Sequence, residues 1–219
     1  MNNTVYKKQN DDRGLSLIEL IIVIAIMGVL TGIMTPLFIK YVDRTKKSRD
    51  VYTADQIARA VNVAFIEHPE AYDTFCSWTG LTKDVKVTVN GKVQNYKVHL
   101  VASSGQQSAS NMKSNCFNGT TPEFMKEGKN PGSKDGSTGF YGVINRELGL
   151  STTEINSEII PRYVAEGIVH KGVLEYCDRY RIVKRKDNGM MEIWVAQPDP
   201  AGGHPIYRVW PEPDDAYRR

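Results

Sequence analysis

The feature that most constrains this chain is the run Leu15–Ile39, 25 residues without Lys, Arg or Asp, in which Glu19 is the one ionisable side chain. About 20 apolar residues carry a helix across the hydrocarbon of a bilayer, so the run predicts one membrane-spanning helix. A secretory signal peptide fits poorly, because its apolar core is usually about 7 to 15 residues and a small-residue cleavage pattern follows it. No such pattern follows Ile39. The rest of the chain is of ordinary globular make-up: over 219 residues, 41% hydrophobic and 24% charged side chains exclude wholesale disorder and a multi-span membrane protein.

Glu19 is the anomaly. A carboxylate in a span costs about 2.5–3.5 kcal/mol at the helix centre and less near an end, so it is expected to be partnered or functional. No basic residue within the run can serve. The preceding stretch, MNNTVYKKQNDDRG, is polar throughout and ends on Gly14 at the apolar boundary. A cut between Gly14 and Leu15 would create an α-amine four residues before Glu19, the spacing that puts two groups on one helix face.

Gly14, Leu15, Ser16, Leu17, Ile18 and Glu19, followed by the apolar helix, resemble the processing site of type IV prepilins. Counted from Leu15, Glu19 is the fifth residue, Gly28 the fourteenth and Pro36 the twenty-second, positions where that family commonly has these residues. The resemblance implies that a prepilin peptidase removes the leader after Gly14 and methylates the Leu15 amine. It implies that the helix then packs with copies of itself in a filament, Glu19 neutralising the Leu15 amine of an adjoining subunit. Leu15 departs from the Phe that many members have, which bears on methylation more than on cleavage. The likeness runs from Arg13 to about Val63, and KYVDRTKKSRDVYTADQIARAV is similar to the spine helices of pilins from Gram-positive clostridia.

Two further features of the run follow from its residues. Gly28 and Gly32 have the small-xxx-small spacing that lets helices approach closely. Pro36 has no N–H for the Gly32 carbonyl, so Gly28, Gly32 and Pro36 mark the weakest part of the helix, where a stretch or kink is predicted. Loss of helix there in filaments is what the resemblance implies.

Past Ile39 the chain turns basic, with Lys40, Arg44, Lys46, Lys47 and Arg49. Counted alone, these would place the far end of the span in the cytoplasm, although long domains translocate despite local charge. The helix is expected to continue, because Val51, Ala54, Ile57, Ala58, Val61, Ala64 and Phe65 recur at threes and fours while Asp55, Arg59 and Asn62 take the other side. Pro69 ends it near Glu67, so the helix from Leu15 measures on the order of 80 Å at about 1.5 Å per residue.

The remainder reads as sheet. Val85 to Leu100 alternates around Asn90-Gly91, and Tyr180–Val183 and Met191–Val195 flank Asn188-Gly189, two strong hairpin signals. PIYRVW offers another strand, Tyr141 to Leu148 a short helix, and 103–115 and 128–139 polar loops. The fold class expected is α+β: a long N-terminal helix, its apolar half protruding and its amphipathic half packed on the head, against an antiparallel β-sheet.

Little in the head points to chemistry. His68, His99, His170 and His204 are scattered and make no metal-ligand spacing, and no nucleophile elbow or phosphate-cradling glycine motif is present. Asp135, Asp187 and Asp199 read as turn acids rather than a calcium site, and Trp194, Tyr207, Trp210 and Tyr217 as sheet core rather than a ligand platform. Asn118-Gly119-Thr120 matches a glycosylation sequon by a pattern common by chance. Cys76, Cys116 and Cys177 allow at most one internal disulfide, in any of three pairings. A net charge of +3 without a basic helix or aromatic motif gives no support to nucleic-acid binding.

The sequence thus predicts a leader over 1–14, an apolar helix over 15–39, its amphipathic continuation over 40–68 and a head over 69–219. The expected function is a structural subunit of a type IV pilus, with neither catalysis, cofactor nor metal. Its expected partners are copies of itself, the prepilin peptidase, the assembly machinery with its minor pilins, and the membrane before assembly. It would lie in the cell membrane first and in a surface filament afterwards. Alternatives are a pseudopilin of a type II secretion or competence system and a single-span membrane-anchored binding module.

Overall fold

The computed structural model describes residues 16–104, 117–119, 139–150, 159–163, 168–170, 173–175, 177, 179–197 and 204–218. The chain divides into two compact units, Met1–Val42 and Asp43–Arg219. Helix α1, Leu17–Glu67, contributes to both.

In the first unit the described residues, from Ser16 onward, belong to the apolar part of α1, and those from Ser16 to Tyr41 are all exposed. In the second, α1 turns Asp50, Thr53, Ala54, Ile57, Ala58, Ala60, Val61 and Ala64 inward, with Val51 and Phe65 half-buried. That is the predicted stripe, extended backwards by Asp50. Arg59 and Asn62 are exposed, and Arg59 pairs with Asp55 at 2.9 Å.

Pro69 ends α1, as predicted, but it also opens a helix the sequence reading missed. In α2, Pro69–Ser77, the proline sits in the first turn, where its absent N–H is no loss. The last turn of α2 is closed by Lys184, whose ammonium donates to the carbonyls of Cys76 at 2.6 Å and Trp78 at 3.0 Å. A cation at a helix C-terminus also meets the negative end of the helix dipole. Helix α3 is Gly139–Glu147, in place of the predicted Tyr141 to Leu148. Phe65 of α1 packs against Tyr72 and Phe75 of α2 and stacks on Phe140 of α3, with ring centroids 5.1–5.3 Å apart, which fastens the three helices together.

The sheet is antiparallel and formed by β1 (Thr82–Val89), β2 (Lys92–Ser103), β6 (Arg179–Arg185), β7 (Met191–Gln197) and β8 (His204–Trp210), neighbours in that order. β3 (Asn118–Gly119) pairs with the end of β2, while β4 (Ile168–His170) and β5 (Val173–Glu175) form a separate small hairpin. Both predicted Asn-Gly hairpins are present. Asn90 and Gly91 have φ of 52° and 73°, the paired left-handed conformation of a two-residue turn matched to strand twist. At the second, the Asn188 side chain accepts from the Met190 N–H at 3.0 Å.

Alternation along the central strands buries both sheet faces. Tyr180, Ile182, Ile193 and Val195 join the α1 stripe in the main core, while Val183 and Trp194 join Val85, Val87, Val89, Val98 and Leu100 in a second cluster. Ser103 and Ser104, expected at the start of a polar loop, are instead buried at the end of β2, where Ser104 accepts from the Tyr180 N–H at 2.9 Å. The rest of that loop, and 128–138 of the other, lie outside the described residues.

Three buried polar clusters fix the second unit. Asp50, 1% exposed, accepts from the N–H groups of Arg162 at 2.8 Å and Tyr163 at 3.0 Å, and from the hydroxyls of Tyr180 at 3.1 Å and Tyr217 at 3.4 Å. Glu192, also 1% exposed, takes bonds from Tyr96, Trp194 and Arg208. Asp214 caps α4, Asp215–Arg218, through the Ala216 N–H at 2.9 Å and holds Thr88 of β1 at 2.8 Å. Its neighbour Asp215 accepts from both turn amides, Asn90 at 3.0 Å and Gly91 at 2.8 Å. Asp214→Ala strips a helix cap and leaves a strand amide unmet, so it is expected to lower stability by about 1–3 kcal/mol, read as a shift of the denaturation midpoint.

Candidate functional site

The candidate site is the exposed apolar length of α1, and its first turn explains how Glu19 is held. Ser16 stands at the N-cap, its carbonyl accepting the first helical bond from Leu20 at 3.1 Å. Glu19, three residues on, reaches back to the Ser16 N–H at 2.8 Å. This is half of a capping box, in which an acid at the third helical position satisfies the cap's own amide, and a negative charge there also suits the positive end of the helix dipole. The carboxylate is therefore localised at the helix start, exposed, at the head of an apolar rod.

Below it the helix has no polar face. Its best 18-residue window has a mean hydropathy of 2.6 and none of it is buried, by length and composition enough to cross a membrane. The two hydroxyls that interrupt the run are spent within the helix: Thr31 donates to the Met27 carbonyl and Thr35 to the Thr31 carbonyl, each at 2.7 Å. Both residues line a shallow apolar groove with Met27, Leu30, Met34, Leu37, Phe38 and Tyr41. At Gly28 and Gly32 an added Cβ would meet nothing within 4 Å, so both leave bare backbone open to an approaching surface. Pro36 lies inside α1, which continues unbroken through the predicted weak point.

Gly14 and Leu15 lie outside the described residues, as do Cys116, Asp135 and Asp199. Cys76 is exposed, Cys177 is buried, and no bridge joins these two. Asp187 is bound by Arg185 at 2.6 Å, and that guanidinium holds its carboxyl below the usual range. Among the described residues no cluster of three or more His, Cys, Asp or Glu is arranged to hold a metal ion. Trp194 is buried in β7, and Tyr207 and Trp210 of β8 pack against the main core, as expected of sheet core; Tyr217 is buried as well, but from helix α4 rather than from the sheet. His99 is buried, its ring nitrogen facing the Thr82 hydroxyl at 3.0 Å and the Gly80 carbonyl at 3.1 Å.

The buried acids Asp50 and Glu192 were missed in the sequence. A signal was available for each: Asp50 continues the inward stripe four residues before Ala54, and Glu192 shares its strand face with buried Trp194.

The family model described as the prokaryotic N-terminal methylation motif matches residues 9–35. Among curated proteins, a type IV major fimbrial protein FimA of Dichelobacter nodosus is 37% identical over 68 residues, 31% of this chain and 44% of the relative. Another FimA of the same organism is 30% identical over 99 residues, 45% of this chain and 51% of the relative. The chain thus spans about half the length of the curated relatives it matches. No solved structure matches it significantly. The methylation motif, which takes in Glu19 and the exposed apolar helix as far as Thr35, and the fimbrial relatives together support a type IV pilin.

Proposed function

We propose that this chain is a structural subunit of a type IV pilus, cleaved after Gly14 and polymerised through α1 into a surface filament. The observation that supports it most is the conjunction of one capped, exposed carboxylate with an apolar rod that is exposed throughout from Ser16 to Tyr41 among the described residues. In the membrane, lipid covers the rod; in a filament, the rods of other copies do. Cleavage after Gly14 supplies the cation that Glu19 lacks, the α-amine of Leu15, and pairing this amine with Glu19 of a neighbouring copy sets the axial step at which rods join. Gly28 and Gly32 let neighbouring rods come close, and the Gly32 carbonyl that Pro36 leaves without an N–H makes Gly28 to Pro36 the place where α1 yields to that packing.

On this reading the chain is a membrane protein with a single span before assembly, served by a prepilin peptidase and the pilus assembly machinery with its minor pilins. Leader removal takes the net charge from +3 to +2, since residues 1–14 contribute three basic and two acidic side chains. Mass spectrometry of sheared surface material is expected to return a peptide that begins at N-methylated Leu15. Assembled material with an intact Met1 terminus would refute the proposal.

A further inference from the structure

The two Asn-Gly turns share a sequence but not their surroundings. At Asn188-Gly189 the Gly189 N–H donates to the Arg185 carbonyl at 3.0 Å, and the Asn188 side chain accepts from the Met190 N–H at 3.0 Å. Both of those partners are neutral backbone groups of the same hairpin. At Asn90-Gly91 the equivalent partners are charged side chains of α4. The Gly91 N–H donates to the Asp215 carboxylate at 2.8 Å, and the Asn90 side-chain oxygen accepts from the Arg218 guanidinium at 2.6 Å. Glu212 orients that guanidinium by accepting from its other terminal nitrogen at 2.6 Å. Both asparagines are exposed to water.

These two contacts fall on the groups that react when an asparagine closes on the residue after it. In that reaction the following amide nitrogen attacks the side-chain carbonyl carbon, and a glycine, having no side chain, leaves the nitrogen open to it. A base hydrogen-bonded to the nucleophile, and a donor fixed on the oxygen where negative charge develops, are what such an addition needs. We infer that Asn90 is a self-modifying site, converted through a cyclic imide with Asp215 as the base and Arg218 holding the oxyanion. Asp215 takes the proton from the Gly91 nitrogen as the bond from that nitrogen to Asn90 Cγ forms. It returns the proton to the side-chain nitrogen as the Cγ–Nδ2 bond breaks and ammonia leaves, so the carboxylate is regenerated. Water then opens the imide at either carbonyl and leaves aspartate or isoaspartate at position 90. The new carboxylate arises beside Arg218, which favours it. The isoaspartyl product lengthens the backbone of a tight turn, and with it loosens the tie between α4 and the β1–β2 hairpin. The site lies within the second unit, and its chemistry is independent of filament assembly.

Peptide mass spectrometry of the purified full chain, aged in neutral buffer, tests this by comparing the two turns within one molecule. Asn90 is expected to convert on the order of 100-fold faster than Asn188, the low end of what a positioned acid–base group contributes. In urea the chain loses its α4 contacts, and the two rates should come together. Asp215→Asn and Arg218→Gln should each bring Asn90 towards the Asn188 rate and leave Asn188 itself unchanged. Should either variant unfold, the comparison of folded with urea-unfolded wild-type chain still decides. Asn90 converting no faster than Asn188 in the folded chain, or more slowly there than in urea, overturns the inference by showing that the charged contacts shield the turn. So does a folded variant of either kind with the wild-type rate at Asn90. A product that is aspartate alone also overturns it, since the imide yields isoaspartate and direct hydrolysis does not.

Discussion

Glu19→Gln is expected to cut the yield of sheared filaments by roughly 100- to 4,000-fold while leaving the chain folded and inserted. The size follows from what it removes. Breaking one partner of a buried ion pair costs about 3–5 kcal/mol, and each 1.4 kcal/mol is about tenfold in an association constant. The choice of Gln follows from the first turn of α1, where Glu19 also caps the Ser16 N–H at 2.8 Å. Gln serves in a capping box as Glu does, so it keeps the helix start and deletes only the charge. Glu19→Ala removes both and cannot tell a frayed helix from a lost ion pair. Wild-type filament yield in Glu19→Gln would show that the carboxylate acts as a cap and nothing more, and the proposed pairing with the Leu15 amine would fall.

Asp50→Ala is expected to be the most damaging single change in the second unit, with a loss of about 4 kcal/mol or more in denaturant unfolding. Two backbone N–H groups and two tyrosine hydroxyls converge on this carboxylate from three places far along the chain, Arg162 with Tyr163, Tyr180 and Tyr217. Each buried donor left without an acceptor costs about 1–3 kcal/mol, and a typical domain has only about 5–15 kcal/mol to lose. A midpoint shift no larger than that of an exposed control, such as Asp73→Ala, would show that these contacts add little.

The same residue gives the fold a pH dependence of definite sign. Burial raises the Asp50 carboxyl above its usual 3.8, and the bonds from Arg162, Tyr163, Tyr180 and Tyr217 oppose that shift without cancelling it. The folded chain therefore holds this proton more tightly than the unfolded one. The contribution is complete below about 3.8 and is lost as pH rises from there through the folded value. A stability profile that keeps this slope in Asp50→Asn would place its origin elsewhere.

Much of the scaffold is legible in the sequence because local rules govern it. The 3.6-residue stripe marks the inward face of α1, proline its end, and two Asn-Gly pairs fix the hairpins and with them the register of β1 with β2 and of β6 with β7. Glu19 is legible too, since a lone acid in an apolar run has no local reason to be there. What escaped is of two kinds. Helix α2 was hidden because Pro69 reads as a stop, although proline equally favours a first turn. The Asp50 cluster and the Asp214–Asp215 contacts escaped because their partners lie 112 to 167 residues away, and no period or spacing in the chain connects them. Their acids stand out only once the faces they occupy are known to be buried.

The contacts of α4 set an order of events in the closing of the second unit. Asp215 takes up the amides of a turn made 125 residues earlier, and Tyr217 donates to Asp50 from 167 residues downstream. A chain made in sequence leaves the opening hairpin half-fastened until α4 follows it. On the proposed reading as a filament subunit, a copy whose α4 has not yet followed has no closed head to offer its neighbours.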